Sequence, residues 1–180
     1  MKHITPAFSV DSQLTPEAVE AAVAEGFTTI VNNRPDGEEA DQPTAAACAR
    51  RAADLGVSYH HIPTPGGRLD PAAIDAFTRA VDRAPGPVLA HCRSGQRSLA
   101  LWLVGQIRSG TMRADEAAAL ARRHGFDPGA LEEWRQRSAT APAGRPEVEG
   151  FFDAPTFSVQ YVVTDPATRH CAIIDPVLDY

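Results

Sequence analysis

A chain of 180 residues with 43% hydrophobic and 22% charged side chains is long enough for one full core and part of another, in the range of ordinary globular proteins. A formal charge of −6 speaks against nucleic acid or an anionic membrane surface as the main partner, because both call for clustered Lys and Arg. No stretch reaches the apolar length of a membrane span, no secretory leader follows Met1-Lys2-His3, and the cysteines, Cys48, Cys92 and Cys171, fit neither a disulfide framework nor zinc spacing, so a reducing compartment, the cytoplasm, is expected.

The first predicted strand is Phe8-Ser9-Val10. Thr15-Pro16-Glu17 reads as N-cap, first-turn proline and acid, opening a helix with Val19, Ala22 and Val23 at helical spacing and Gly26 as its stop. Residues 27–32 are β-branched and nearly continuously apolar, as in a strand covered on both faces. Asn33-Arg34-Pro35-Asp36-Gly37 is turn chemistry at its end. An Ala-rich helix over 44–55 closes at Gly56, a strand follows over 57–62, and 63–69 is a loop. Asp70-Pro71 opens a further helix to about residue 83, and Pro85-Gly86-Pro87 breaks it.

Then Val88-Leu89-Ala90-His91 runs straight into Cys92-Arg93-Ser94-Gly95-Gln96-Arg97-Ser98 and a helix over 99–107. Two more helices are predicted over 114–124 and 128–138, the second capped by Asp127. Their Arg122, Arg123, Arg135 and Arg137 read as solvated faces, with a binding patch as the alternative. Residues 139–149 form a linker by composition, and strands over 157–163 and 171–174, joined by a turn at 165–168, read as the start of a second domain cut short. Regular alternation of strand and helix over 1–138 predicts an α/β domain, a small parallel sheet flanked by helices, with its site at the C-terminal edge of the strands.

At that edge the loops at Arg34, Gly66-Gly67-Arg68 and 92–97 should meet. A strand, a tight loop holding a Gly and a helix make an anion site, because inward N–H groups and the helix dipole favour negative charge there. Cys92 at its mouth is the candidate nucleophile, as a thiolate. Backbone N–H groups of Arg93, Ser94, Gly95, Gln96 and Arg97, with the Arg97 guanidinium, are the candidate holders of an anionic substrate, and Arg34 either lines the crevice or is a surface turn residue. Ser98 either donates to the Cys92 sulfur or caps the helix, roles that are compatible. Asp70 is the best-placed general acid but also the N-cap before Pro71, with Asp36 behind it. His91 is expected to fix the Cys92 backbone rather than move protons, and Cys48 to be core rather than a resolving thiol.

His91-Cys92 and the loop ending in Arg97 resemble two signatures. Tyrosine and dual-specificity phosphatases place five residues between Cys and Arg, and rhodanese sulfurtransferases place four; here Arg93, Ser94, Gly95 and Gln96 make four. A shorter loop has a narrower mouth and one fewer inward N–H, which suits one terminal sulfur better than a phosphoryl group. The surrounding residues, Ser9 to Thr15, Thr29 to Gly37, the Ile62-Pro63 to Gly66-Gly67 loop and Gly86 to Gly95, are similar to the phosphatase-like domain of beta-lactamase-hydrolase-like proteins, which implies a phosphatase-like fold. The segment from Gly150 to Val177 is similar to the first strands of metallo-beta-lactamase-fold enzymes of the persulfide dioxygenase type, without that family's metal motif.

Together these features predict a sulfurtransferase working through a Cys92 persulfide, with a small anionic sulfur substrate, a low-molecular-weight thiol acceptor, the remainder of the second domain as partner, and no cofactor or metal. The alternatives are a phosphomonoesterase working through a phosphocysteine on a phosphate substrate, and a non-catalytic anion-binding module.

Overall fold

The computed structural model describes residues 1–140, 147–153, 158–165 and 170–174. They fall into two compact units, Met1–Trp134 and Arg135–Tyr180.

The first unit is built on β1 (Lys2–Thr5), β2 (Phe8–Asp11), α1 (Pro16–Ala24), β3 (Thr29–Asn32), α2 (Ala45–Asp54), β4 (Ser58–His61), α3 (Pro71–Asp82), β5 (Val88–His91), α4 (Gln96–Arg108), α5 (Ala114–Arg123) and α6 (Gly129–Thr140), the last running into the second unit. The sheet order is β1-β2-β5-β3-β4. Strands β2, β5, β3 and β4 are parallel, while β1 pairs antiparallel with β2. The α/β class is as expected from the alternation, but the sheet is mixed rather than all parallel, and 8–10 belong to the second strand, not the first. Lys2–Thr5 has too little apolar character to stand out; it forms because the two residues Pro6 and Ala7 turn it back onto β2 as a hairpin edge.

Parallel pairing puts the strand ends in one row, with Asp11, Asn32 and His61 in register with or across from His91. Alternation of side chains then sorts the core. Val88, Ala90 and Val31 pack with α3, α4 and α5, whereas Leu89 and Ile30 pack with Val19, Ala22, Cys48 and Ala52 of α1 and α2. Phe8 stacks on Trp102 at 4.9 Å and meets Phe77 edge-on at 6.1 Å, fastening β2 to α4 and α3. Cys48 is buried in the second of these layers, as expected of a core residue.

Helix starts follow the predicted chemistry. Thr15, Thr44 and Asp70 accept from Ala18, Ala47 and Ala72 N–H, and Asp127 accepts from Gly129. The turn before β5 depends on a missing side chain, since a Cβ on Gly86 would stand 2.9 Å from Thr28 Cγ2.

The second unit holds a three-stranded antiparallel sheet, β6 (Glu147–Asp153), β7 (Ser158–Thr164) and β8 (Cys171–Ile174), in that order. Two of its strands were expected. The third, β6, includes Glu147 to Glu149, assigned to the linker by composition, because Glu147, Glu149 and Gly150 dilute its apolar pattern. Linker residues 141–146, the turn residues 166–168 and the last residues 175–180 lie outside the described residues.

Leu89 lies in the central strand with no exposed surface. Leu89→Ala is expected to cost about 2–5 kcal/mol, read as a lowered urea midpoint with unchanged slope; a loss under about 0.5 kcal/mol, the scale of a surface change, would contradict this packing.

Candidate active site

Strand β5 ends at His91 and α4 begins at Gln96, so the chain turns from strand to helix in four residues, 92–95. The helix therefore starts earlier than the predicted residue 99, and Arg97 and Ser98 sit in its first turn. The turn is made by Gly95, with φ 85° and ψ −17°. A Cβ there would lie 3.3 Å from the Asp11 carbonyl oxygen and 3.3 Å from Phe126 Cζ. Gly95 N–H donates to Cys92 Sγ at 3.2 Å, and its carbonyl accepts the first helical bond from Leu99 at 3.0 Å. The N–H groups of Gln96, Arg97 and Ser98 are thus among those a helix start leaves without an intrahelical partner.

Cys92 has no exposed surface, and Ser98 is buried with its Oγ lacking a hydrogen-bond partner among the described residues. Ser98 is the third residue of α4, whose N-cap is Gly95, so it does not cap the helix, and the predicted donation to the Cys92 sulfur is not made among the described residues. His91 is buried on the Leu89 face, burial holds its imidazole down to about pKa 3 so that it is neutral at ordinary pH, and neither ring nitrogen has a hydrogen-bond partner among the described residues, so the ring does not itself hold the Cys92 backbone.

The loop is clamped from outside. Gln96 Oε1 accepts from Asp127 N–H at 3.1 Å, and its amide donates to the Asp127 carbonyl oxygen. The Gln96 side chain is thereby a strut, which leaves only its backbone N–H for an anion. Phe126 packs over Gly95 and carries Lys2 Nζ 4.3 Å above its ring. From the other side, Asn33 N–H donates to the His91 carbonyl oxygen at 2.8 Å, while its amide reaches Ile62 O at 3.0 Å and its carbonyl accepts from Thr64 N at 3.0 Å. Asn33 ties together the ends of β3 and β5 and the loop after β4.

The loops expected to meet do meet, through charge. Arg97, 12% exposed, points both ends of its guanidinium at Glu38, Nη1 to Oε1 and Nη2 to Oε2, each at 2.8 Å. Nη1 also reaches the Thr64 carbonyl oxygen at 3.2 Å. Gly67 lies alongside, a Cβ on it coming 3.8 Å from Arg97 Cγ.

Glu38 Oε2 also accepts from Arg34 Nε at 3.0 Å. Arg34, 2% exposed, spends its other donors on Gln13 Oε1 at 3.1 Å and on Glu39, whose Oε2 is 2.7 Å from Nη2, an ion pair not aligned as a hydrogen bond. Burial alone would lower the Arg34 pKa, and its close contacts with the Glu39 and Glu38 carboxylates outweigh it and raise it. Glu39 Oε1 in turn pairs with the exposed Arg93 at 2.7 Å.

Arg34 is therefore neither a surface turn residue nor free to line the crevice. It is the buried anchor of an acidic arm, residues 35–43, folded over the mouth. Asp70 and Asp36 each have one oxygen engaged at a helix start: Asp70 Oδ1 accepts from Ala72 N and Asp36 Oδ1 from Ala45 N, each at 2.8 Å. Ser94 is exposed beside the mouth. Among the described residues no group of three His, Cys, Asp or Glu could hold a metal, and no helix is long and apolar enough to cross a membrane.

Glu38, Glu39, Gln13, Asn33 and Phe126 escaped the sequence reading. The signal for the first was the spacing: Glu38 stands four residues after Arg34, and a mouth with Arg34, Arg93 and Arg97 needs counter-charge.

Two outcomes are expected. Gly95→Ala forces the left-handed turn onto a residue with a Cβ and a close neighbour on each side; it should cost upward of ~1 kcal/mol of stability and abolish Cys92 reactivity toward substrate. Wild-type turnover in this variant would contradict the loop geometry. The Arg97 hydrogen bond, and then Arg34, holds the Glu38 carboxyl down to about 2 from 4.5. A depressed carboxyl stabilises the fold above its unfolded value and loses that contribution as pH falls, here from about 4.5 to about 2. Urea midpoints should therefore fall more steeply over that window in wild type than in Glu38→Gln; parallel curves would contradict the pairing.

A scan against protein-family models matches residues 1–109 to the phosphatase-like domain of beta-lactamase hydrolase-like protein. Curated relatives are the beta-lactamase hydrolase-like proteins of Xylella fastidiosa, 47% identical over 158 residues, and of Agrobacterium fabrum, 43% identical over 157. These matches cover 86% and 87% of this chain but 35% and 36% of the relatives, so the chain spans about a third of their length.

Among solved structures, a candidate phosphatase from Neisseria meningitidis is similar at a TM-score of 0.63 and 31% identity, over 76% of this chain and 94% of its own. TpbA from Pseudomonas aeruginosa, solved in complex with pTyr, shares the fold at a TM-score of 0.55 and 18% identity, over 77% of this chain and 82% of its own. These matches favour the phosphatase alternative over sulfur transfer and give no support to the metallo-beta-lactamase resemblance of the C-terminal segment. With the family matched over more than half its length, and with a tyrosine-phosphatase-like α/β fold, the chain belongs to the phosphatase-like domain family of beta-lactamase hydrolase-like proteins.

Proposed function

We propose that the chain is a cysteine-dependent sulfurtransferase, in which Cys92 takes the outer sulfur of a small anionic donor and passes it to a low-molecular-weight thiol. The observation that carries this reading is the four-residue turn from Cys92 to Gly95, which starts α4 early and puts Arg97 in its first turn. Such a turn offers few inward N–H groups, enough for a terminal sulfur and sparse for a phosphoryl group with three equatorial oxygens.

The acids point the same way. Asp70 and Asp36 each spend one oxygen on a backbone N–H, and phosphomonoester cleavage asks an acid to protonate the departing alkoxide. Sulfur transfer does not. The Cys92 thiolate attacks the outer sulfur of thiosulfate, the S–S bond breaks, and sulfite leaves with the bonding pair as a stable anion. An acceptor thiolate then attacks the terminal sulfur of the Cys92 persulfide and carries it away, and the Cys92 thiolate is restored. Through both steps the Gly95 N–H toward Sγ holds the sulfur in place.

Phosphomonoester hydrolysis is the second reading, favoured by the family description and by the phosphatase-like neighbours. In it Cys92 forms a phosphocysteine and Arg97 grips the equatorial oxygens. On either reading the chain is proposed to act in the cytoplasm.

Intact-mass spectrometry after incubation with thiosulfate separates the two. Wild type is expected to gain one sulfur atom, removed again by a small thiol, and Cys92→Ser to gain none. No gain, together with Cys92-dependent, vanadate-sensitive hydrolysis of an aryl phosphate, would overturn the first reading in favour of the second.

A further inference from the structure

We infer that Glu38 is a specificity-determining residue: a carboxylate carried by the chain itself that occupies the anion face of Arg97 and must be displaced by any substrate anion that binds there. The inference rests on the reading of the Cys92 loop as an anion site and holds for sulfur or phosphoryl substrates alike.

Three observations carry it. The Glu38 carboxylate makes with Arg97 the two-pronged contact that a substrate oxyanion would make, at 2.8 Å on both prongs, so the two cannot be held at once. Around the mouth, Arg34, Arg93 and Arg97 face Glu38 and Glu39, leaving a single net positive charge. A Cys92 thiolate uses that charge, and a substrate dianion finds none until a carboxylate leaves. Finally, Cys92 has no exposed surface in this arrangement, so a substrate reaches Sγ only after a covering group moves.

The arm is built to give way. It is fixed to the loop by side-chain ion pairs, whereas the Asn33 and Gln96 side chains hold their neighbours through hydrogen bonds to backbone groups. Its own anchor lies elsewhere, on buried Arg34, whose Nε holds the same Oε2 that Arg97 Nη2 holds. Glu38 can release Arg97 and stay attached to Arg34. The arm then returns when product leaves.

The test is the affinity of the full chain for inorganic phosphate, by calorimetry and by protection of Cys92 from iodoacetamide. Removing a competing charged, two-pronged partner should tighten binding roughly tenfold or more in Glu38→Gln. Glu39→Gln, which leaves Arg97 paired, should change it less than Glu38→Gln does. Glu38→Asp keeps the charge but shortens the reach, and should fall between wild type and Glu38→Gln; it decides the matter if Glu38→Gln does not fold.

Affinity unchanged or weakened in these Glu38 variants would overturn the inference and make Glu38 a support that aims Arg97 at the substrate. Failure of the functional reading looks different: wild type would take no sulfur from thiosulfate on Cys92, whatever Glu38 does to phosphate affinity.

Discussion

The site depends on one constraint: a buried central strand ends at His91 and a helix begins at Gln96, and the chain must turn between them without a side chain at Gly95. Everything near Cys92 serves that turn. Phe126 and the Asp11 carbonyl oxygen close in on Gly95, Gln96 grips the Asp127 backbone, and Asn33 holds the His91 carbonyl oxygen. Because the turn is short, the first helical residues are also the candidate anion-binding residues. The dipole of a 13-residue helix and its unused N–H groups are then spent on whatever sits beside Sγ.

Much of this was legible in the sequence because it is local. Thr15, Thr44, Asp70 and Asp127 announce their helices by hydrogen bonds that span two or three residues, and the β-branched run over 27–32 announces a buried strand by composition. The anion loop was legible for the same reason, since Cys92, Gly95 and Arg97 lie within six positions of one another. The hairpin strand β1 and the strand β6 were not, because their pairing partners make them strands more than their own residues do. Nor was the fate of Arg34. Beside Pro35 and Asp36 it reads as a turn residue, and only the folded chain shows it buried beneath Glu38 and Glu39 with Gln13 behind it.

Burying Arg34 explains why the arm is acidic. A guanidinium with 2% exposure is costly unless its donors are met. Gln13 and Glu38 accept hydrogen bonds from it and Glu39 pairs with it by charge, and Glu38 and Glu39 each have a second oxygen that reaches a loop arginine, Arg97 and Arg93 respectively. The charge that stabilises the buried anchor is thus the same charge that balances the mouth. A chain that needed Arg34 only as a fold element could pair it with Glu39 alone. Sharing Glu38 between Arg34 and Arg97 couples the fold to the state of the site.

That coupling bears on why fold and loop point to different reactions. Phosphatase-like neighbours show what the scaffold resembles, yet reactions are decided at the site. Here the site differs from a generous phosphoryl cradle in two linked ways: the turn holds four residues, and each expected acid has an oxygen engaged by a backbone N–H at a helix start. Each difference lowers the need for, or the tolerance of, a large dianion with a basic leaving group. On the proposed reading, a donor that ends in one polarisable sulfur and departs as a stable anion would use the thiolate, the Gly95 N–H and the Arg97 guanidinium, groups that the turn and the arm bring together.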